Sequence, residues 1–384
     1  MSLLIMKPGL LTTVQDLGRY GFQQFGVIAG GAMDSYALRM ANLLVGNDEQ
    51  AAGLEMTVLG PEITFAAPAL IAVCGGGLAP MLDGQPLPLW RSAYVPKGTR
   101  LHFGRLPGGC RAYLAVAGGI DVPVQLNSRS TYLRAGIGGH QGRALRSGDV
   151  LPVGTPSRRA AAWTERLARG SGAWQLDLWA GRLNRGLETG EFDNRQEAGR
   201  LNGGLETGQF DSGQEAGRLA GKLGAEVIAI SSWYPAPALI PEYPKAPVVR
   251  VIAGEEYGLF SEESRRRFLS EPYMILPESD RMGYRLSGSV LELEQERSLV
   301  SAAVTFGTIQ VPSGGAPIIL MADRQTTGGY PKLAQVITAD LPLLAQAGPG
   351  SAIRFRLVTL RQAQEQLMQR EFELRRLRLV LEHM

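Results

Sequence analysis

The brevity of the apolar runs limits the fold more than any other feature. Between residues 55 and 153 they come as 63–65, 70–73, 93–95, 101–103, 113–116 and 150–151, each closed by Gly, Pro or Asp. Runs this short do not bury the face of a helix, and at this spacing they predict an antiparallel barrel or sandwich. Asp83 and Gly84, inside MLDGQPLP, have the chemistry of a two-residue hairpin turn. A second strand-rich region starts with VVRVIAG at 248 and runs through 273–276, 300–304, 306–312 and 353–358. Helices are predicted in few places. Asp34 or Ser35 caps one whose Ala37, Leu38, Met40, Ala41, Leu44 and Val45 share a face and which stops at Gly46 and Asn47. Another covers 260–269, and a tail from 362 puts Ala363, Leu367, Leu374, Leu377 and Leu381 on one side. The expected class is mainly β.

A chain of 384 residues is long enough for two domains with separate cores. The predicted organisation is an N-terminal β domain over 1–160, a linker over 161–224, a C-terminal β domain over 225–360 and a helical tail over 361–384. Inside the linker GRLNRGLETGEFDNRQEA at 181–198 is followed by GRLNGGLETGQFDSGQEA at 199–216, an 18-residue unit repeated with 14 identities. Rich in glycine and poor in large apolar residues, it reads as a low-complexity insert, expected to be mobile. Net charge is +3 with the basic residues scattered, so neither a nucleic-acid nor a membrane footprint is expected. Two cysteines and no leader-like start predict a reduced, cytoplasmic setting. The three histidines lie far apart, which argues against a His-based metal site.

The stretch VPSGGAPIILMADRQTTGGYP at 311–331 is the strongest candidate for chemistry. Ile318, Ile319, Leu320 and Met321 form an unbroken apolar run of the kind that buries both faces of a strand. Directly after it come Asp323, Arg324, Gln325, Thr326 and Thr327, then Gly328, Gly329 and Tyr330, which end regular structure and gather polar groups at the strand's end. Arg324, Gln325, Thr326 and the N–H groups of Gly328 and Gly329 suit stabilisation of a negative oxygen on an amide or ureido carbonyl; Asp323 and Tyr330 suit proton handling or positioning. The bland alternative is a turn in which Asp323 and Arg324 merely pair with each other. SDRMGYRLSG at 279–288 supplies Asp280 and Arg281 as a second wall, and Gln310 lies on the preceding strand. Two further glycine-rich polar loops carry binding candidates, Asp16 and Arg19 in the first and Arg129 and Ser130 in the second. A dinucleotide fingerprint, a phosphate loop and an Ala-Met-Lys-Met biotinyl segment are all missing from the sequence; GRLAGKLG at 217–224 has the wrong spacing before Lys222.

Six of these segments together resemble one family: VQDLGRYGFQQFGVIAGGAMD at 14–34, ANLLVGN at 41–47, SRSTY at 128–132, SDRMGYRL at 279–286, GTIQVP at 307–312 and DRQTTGGYP at 323–331. Their order and composition are similar to the KipA, or allophanate hydrolase subunit 2, family. That family includes the C subunit of 5-oxoprolinase, half of the carboxyltransferase domain of urea carboxylase, and KipA-type antagonists of a kinase-inhibitor protein. The resemblance implies two tandem cyclophilin-like β-barrel domains with a few short helices and a helical tail. It also implies a KipI-like partner, the 5-oxoprolinase B subunit, beside the A subunit. The leading expectation is ATP-dependent opening of 5-oxo-L-proline by the complex. The alternatives are carboxyl transfer from biotin carried on another chain, and a non-catalytic antagonist.

Overall fold

The computed structural model describes residues 1–170, 173–175, 227–295 and 299–383; the 18-residue repeat lies outside the described residues. The first half lays two antiparallel sheets on each other. One runs in the order Val150–Pro152, Ser2–Lys7, Glu62–Phe65, Arg100–Arg105, Leu78–Leu82, Gln85–Pro86. The other runs Ala173–Gln175, Ala229–Ser231, Ser92–Val95, Ala69–Gly75, Arg111–Val116, Gly53–Thr57, Leu11–Gln15. The expected hairpin at Asp83 and Gly84 is present, both residues at positive φ.

Side-chain alternation explains why the central strands of the second sheet are apolar throughout. In Ala69–Gly75, Ile71 and Val73 point between the sheets and meet Leu54, Leu114, Ile63 and Phe65, while Leu70, Ala72 and Cys74 point outward beneath helix α1 (Ser35–Leu44). Asp34 starts that helix as expected, its Oδ1 accepting the Ala37 N–H at 2.9 Å, and Gly46 at φ +73 follows its end. A helix not foreseen, α2 (Arg158–Ala168), begins at Ser157, whose Oγ accepts the Ala160 N–H, and buries Trp163 and Leu167 in the same outer core. It overlaps the stretch assigned to the linker. The chain also returns to the first half after 227, because Ala229–Ser231 pairs with Ser92–Val95.

The second half closes into a barrel: Val248–Ala253, Lys332–Val336, Thr308–Gln310, Ile318–Leu320, Gly283–Ser287, Tyr273–Ile275, Ala352–Leu357, with the last strand parallel to the first. Closure removes the sheet edges and encloses Val249, Val251, Ile309, Ile319, Leu333, Ile353 and Phe355. Helix α3 (Glu262–Ser270) plugs one side through Phe268, which stacks on Phe355 at 4.5 Å. Helix α4 (Leu341–Gln346) and helix α5 (Leu360–Glu382) are the remaining α-helices among the described residues. The mainly β architecture expected from the sequence is therefore the one adopted. Among the described residues no helix is long and apolar enough to cross a membrane.

Candidate active site

The polar loops singled out in the sequence converge where the two halves meet. The first starts where Leu11–Gln15 ends. Asp16 has its carboxylate filled by the Gly18 N–H at 2.8 Å, the Ser128 hydroxyl at 2.7 Å, the Ser130 hydroxyl and the Arg129 N–H. These bonds tie the loop after 15 to the loop at 125–142. Arg19 follows, fully buried, its Nη2 donating to the Ser130 carbonyl at 2.6 Å. Gly138 permits this approach, because a Cβ there would lie 2.0 Å from the Ser130 oxygen and 2.7 Å from Arg19 Nη2. Burial pulls the Arg19 pKa down, opposed by the charges of Asp16 and Asp323.

The barrel contributes Arg281 and Asp323. Strands Gly283–Ser287 and Ile318–Leu320 pair so that Gly283 faces Leu320, which sets the residues just outside both strands side by side. Arg281 clamps Asp323 through Nε at 2.9 Å and Nη2 at 3.0 Å, and its Nη2 also donates to the Gly31 carbonyl at 2.5 Å. Its Nη1 donates to Glu55 on Gly53–Thr57, in the first half. Asp323 thus pairs with Arg281 and not with its neighbour Arg324. The polar loop expected here begins with a buried carboxylate whose two oxygens both accept from a guanidinium.

Sequence reasoning passed over Glu55. It is 1% exposed and accepts the Met33 N–H at 2.8 Å, the Tyr113 hydroxyl at 2.8 Å and Arg281, with Arg111 Nε at 4.0 Å. Burial pushes its pKa up, but Arg281 and Arg111 outweigh that and hold it below the ordinary carboxylate value. Conversely, burial works against the charge on Arg281, and Asp323 and Glu55 overcome it, raising its pKa. The local sequence carried only a weak signal, a glutamate between Leu54 and Met56 in a short apolar run, because alternation alone would let it face solvent.

Arg324 has a different setting. Half-buried, it meets the carbonyls of Val304 at 3.4 Å and of Met321 and Ala322 at 3.5 Å, distances at which hydrogen bonds are weak. Among the described residues no carboxylate pairs with it. Burial lowers its pKa, opposed by Tyr20 and Asp323. Its planar fork thus carries a charge that no carboxylate among the described residues neutralises, which suits it to an anionic oxygen.

The remaining candidates are spread around this centre. Gln325, Thr327, Gly329 and Tyr330 are exposed. The Thr326 carbonyl accepts the Val304 N–H at 3.1 Å, Gly328 pairs with Ala302, and buried Gln310 donates to the Tyr330 carbonyl at 3.2 Å. Asp280 is exposed and holds its own turn by accepting the N–H groups of Met282 and Gly283. Only the backbone of Arg129 joins the cluster; its guanidinium turns to the Val122 carbonyl and Asp121. A cleft of about 340 Å³ next to it is lined by Asp121, Gln125, Gly138, His140 and Gln141. A larger cavity, about 630 Å³, lies at the six-stranded sheet beside Lys7, Glu62, Arg100 and His102 and includes none of these residues.

Where the halves of this mainly β scaffold meet, Arg281 is held by the buried carboxylates of Glu55 and Asp323, while Arg324, among the described residues, has carbonyl partners only. Residues 25–204 and 203–357 match the family described as carboxyltransferase domain, subdomain A and B, and the chain belongs to that family. It is 36% identical to the 5-oxoprolinase C subunit of Escherichia coli K12 over 375 residues, 97% of this chain and 96% of that protein. To the protein of the same name in Haemophilus influenzae it is 33% identical over 370 residues, 96% of each chain. Among solved structures it is similar to Kluyveromyces lactis urea carboxylase, with a TM-score of 0.76 and 26% identity, over 98% of this chain and 29% of that one.

Proposed function

We propose that this chain is the C subunit of an ATP-dependent 5-oxoprolinase complex, which opens 5-oxo-L-proline to L-glutamate together with a KipI-like B subunit and an A subunit. The observation that carries the reading is the end-to-end correspondence with relatives named as the 5-oxoprolinase C subunit, 97% of this chain against 96% of the Escherichia coli protein. In this reading water adds to the lactam carbonyl carbon, the ring C–N bond breaks, and the nitrogen leaves with a proton as the amine of glutamate. Hydrolysis of ATP to ADP and phosphate by the complex supplies the driving force. The described loops offer no lysine and hydroxyl arranged as a phosphate loop, so we give no nucleotide contact to this chain.

Arg324 is assigned to the carbonyl oxygen as it becomes negative, with Gln325, Thr326 and the Gly329 N–H around it. Arg281 takes a positioning role, because it holds Asp323. The setting is cytoplasmic, consistent with Cys74 and Cys110 both being free. A second reading, carboxyl transfer to urea or another amide from biotin on a separate chain, is favoured by the structural likeness to urea carboxylase.

The test is glutamate formation from 5-oxoproline by the three co-expressed subunits. Wild type should require ATP, and Arg324→Ala should lower turnover roughly 100-fold or more with a modest change in KM, Arg324→Lys recovering only part. A complex that leaves 5-oxoproline intact sinks the first reading; carboxylation of urea with a biotinylated partner establishes the second.

A further inference from the structure

Between Arg19 and Asp323 lies a point flanked by an unused donor and an unused lone pair. Arg19 is fully buried; its Nη2 and Nε reach the carbonyls of Ser130 and Gln125, but Nη1 has no partner. Asp323 Oδ1 accepts from Arg281 Nη2 and has a second acceptor direction left. Both atoms lie in contact with the place that a Cβ on Gly30 would take, 3.7 Å from Arg19 Nη1 and 3.6 Å from Asp323 Oδ1, and Ile28 Cδ1 is 4.0 Å away. Gly30, at φ +62, therefore keeps clear a small cradle with one donor and one acceptor. Gly18 packs on the Gly30 carbonyl and is itself half-buried.

A buried charged donor without an acceptor is costly, so the cradle is matched to a group that brings one. The group must also bring a donor for Asp323. A carboxylate fails the second condition, since it would place negative charge against Asp323, and an ammonium fails the first. A trans amide points its C=O and N–H to opposite sides. A lactam or a cyclic urea points both to one side. We infer that the Gly30 cradle binds the cis edge of an amide or ureido ring, its carbonyl oxygen accepting from Arg19 Nη1 and its N–H donating to Asp323 Oδ1. The inference deepens the proposed function, on which it rests for the lactam as occupant; a ureido ring shares the same edge.

The full chain is titrated calorimetrically with 5-oxo-L-proline, 2-imidazolidone and N-methyl-5-oxoproline, which lacks the N–H. Gly30→Ala fills the cradle at ordinary contact distance and removes no polar group. Gly26→Ala, at φ +79 with nothing within 4 Å, carries a similar backbone cost and is the control. The expected result is binding of a cis-amide ring by wild type and Gly26→Ala, weakened at least tenfold in Gly30→Ala and by N-methylation, with the two variants melting together. Tighter binding of 5-oxoproline identifies the lactam as occupant, tighter binding of 2-imidazolidone the ureido ring. Equal binding by Gly30→Ala, indifference to N-methylation, or binding of neither ring by wild type overturns the inference. Turnover by the reconstituted complex is read separately: activity with an unchanged KM in Gly30→Ala refutes the cradle and leaves the function standing, whereas binding at the cradle without turnover does the reverse.

Discussion

Replacing Glu55 by Gln should cost far more than a change of one atom suggests. The carboxylate accepts from Met33, Tyr113 and Arg281 at once and faces Arg111. Gln keeps a single acceptor oxygen and turns an N–H₂ toward groups that are themselves donors. Arg111 then loses its carboxylate, and Arg281 retains Asp323 and the Gly31 carbonyl. Leaving buried charges short of a partner costs about 3–5 kcal/mol, a large part of the roughly 5–15 kcal/mol that holds a typical domain together. Adding Arg281→Met should make the double variant at least about 1 kcal/mol more stable than the sum of the two changes, because the Glu55–Arg281 contact is lost in each single variant and can be lost only once in the double. The pH dependence has a definite sign. Because the folded pKa of Glu55 lies below its ordinary value of 4.5, its contribution is complete above that value and is lost as pH falls through the lower folded one. The acid limb of the stability profile should therefore flatten in Glu55→Gln. The assay is guanidinium unfolding followed by tryptophan fluorescence between about pH 3 and 7. A Glu55→Gln chain within about 0.5 kcal/mol of wild type, or an unchanged acid limb, would refute the account of the buried cluster.

Asp149 takes a bidentate bond from Arg143, which brings its pKa from 3.8 to about 2, so Asp149→Asn should lose roughly 1.5–3 kcal/mol at neutral pH and the loss should fade as pH falls from 3.8 towards 2 in thermal melts. Phe268→Ala removes the ring stacked on Phe355 and should cost about 3–5 kcal/mol in the unfolding transition of the barrel. Gly138→Ala should yield a chain destabilised beyond the roughly 1–2 kcal/mol of a left-handed backbone, since the methyl group also meets Ser130 and Arg19; a melting point equal to wild type would contradict that packing. Deleting 181–216 should leave the melting point almost unchanged, on the ground of composition, and loss of soluble protein would speak against it.

The strands, the Asp34 cap and the polar loop after Leu320 were legible because each depends on residues within a few positions. Partner choice was not. Arg281 and Asp323 lie 42 positions apart and meet through the register of Gly283 against Leu320, while Glu55 and Arg281 are separated by 226. Composition alone therefore left an Asp323–Arg324 pair open when the barrel offers Asp323 a better-placed guanidinium. Arg129 was readable as a loop residue, but which of its groups faces the cluster is decided by Asp16, which bonds its N–H and leaves the side chain to Val122. Helix α2 did carry local signs, a Ser157 cap and Trp163 four positions before Leu167, although the repetitive stretch after it made the region read as linker.

Helix α5 adds a time order to the structure. It reaches Arg250 through Gln366 at 2.8 Å and the Ala339 carbonyl through Arg370, both in the second half. It reaches Arg39 through Glu371 and Glu49 through Arg378 in the first, and buries Leu374 and Leu381 beside α1 and α2. Every residue it fastens is made before it. While 360–382 is still inside the ribosome, the outer core over α1 has an open side and the two halves are joined without this brace. Completion of that core thus waits until the helix has emerged, so a slow codon or a pause upstream of 360 would lengthen the period in which its apolar groups are open to other molecules.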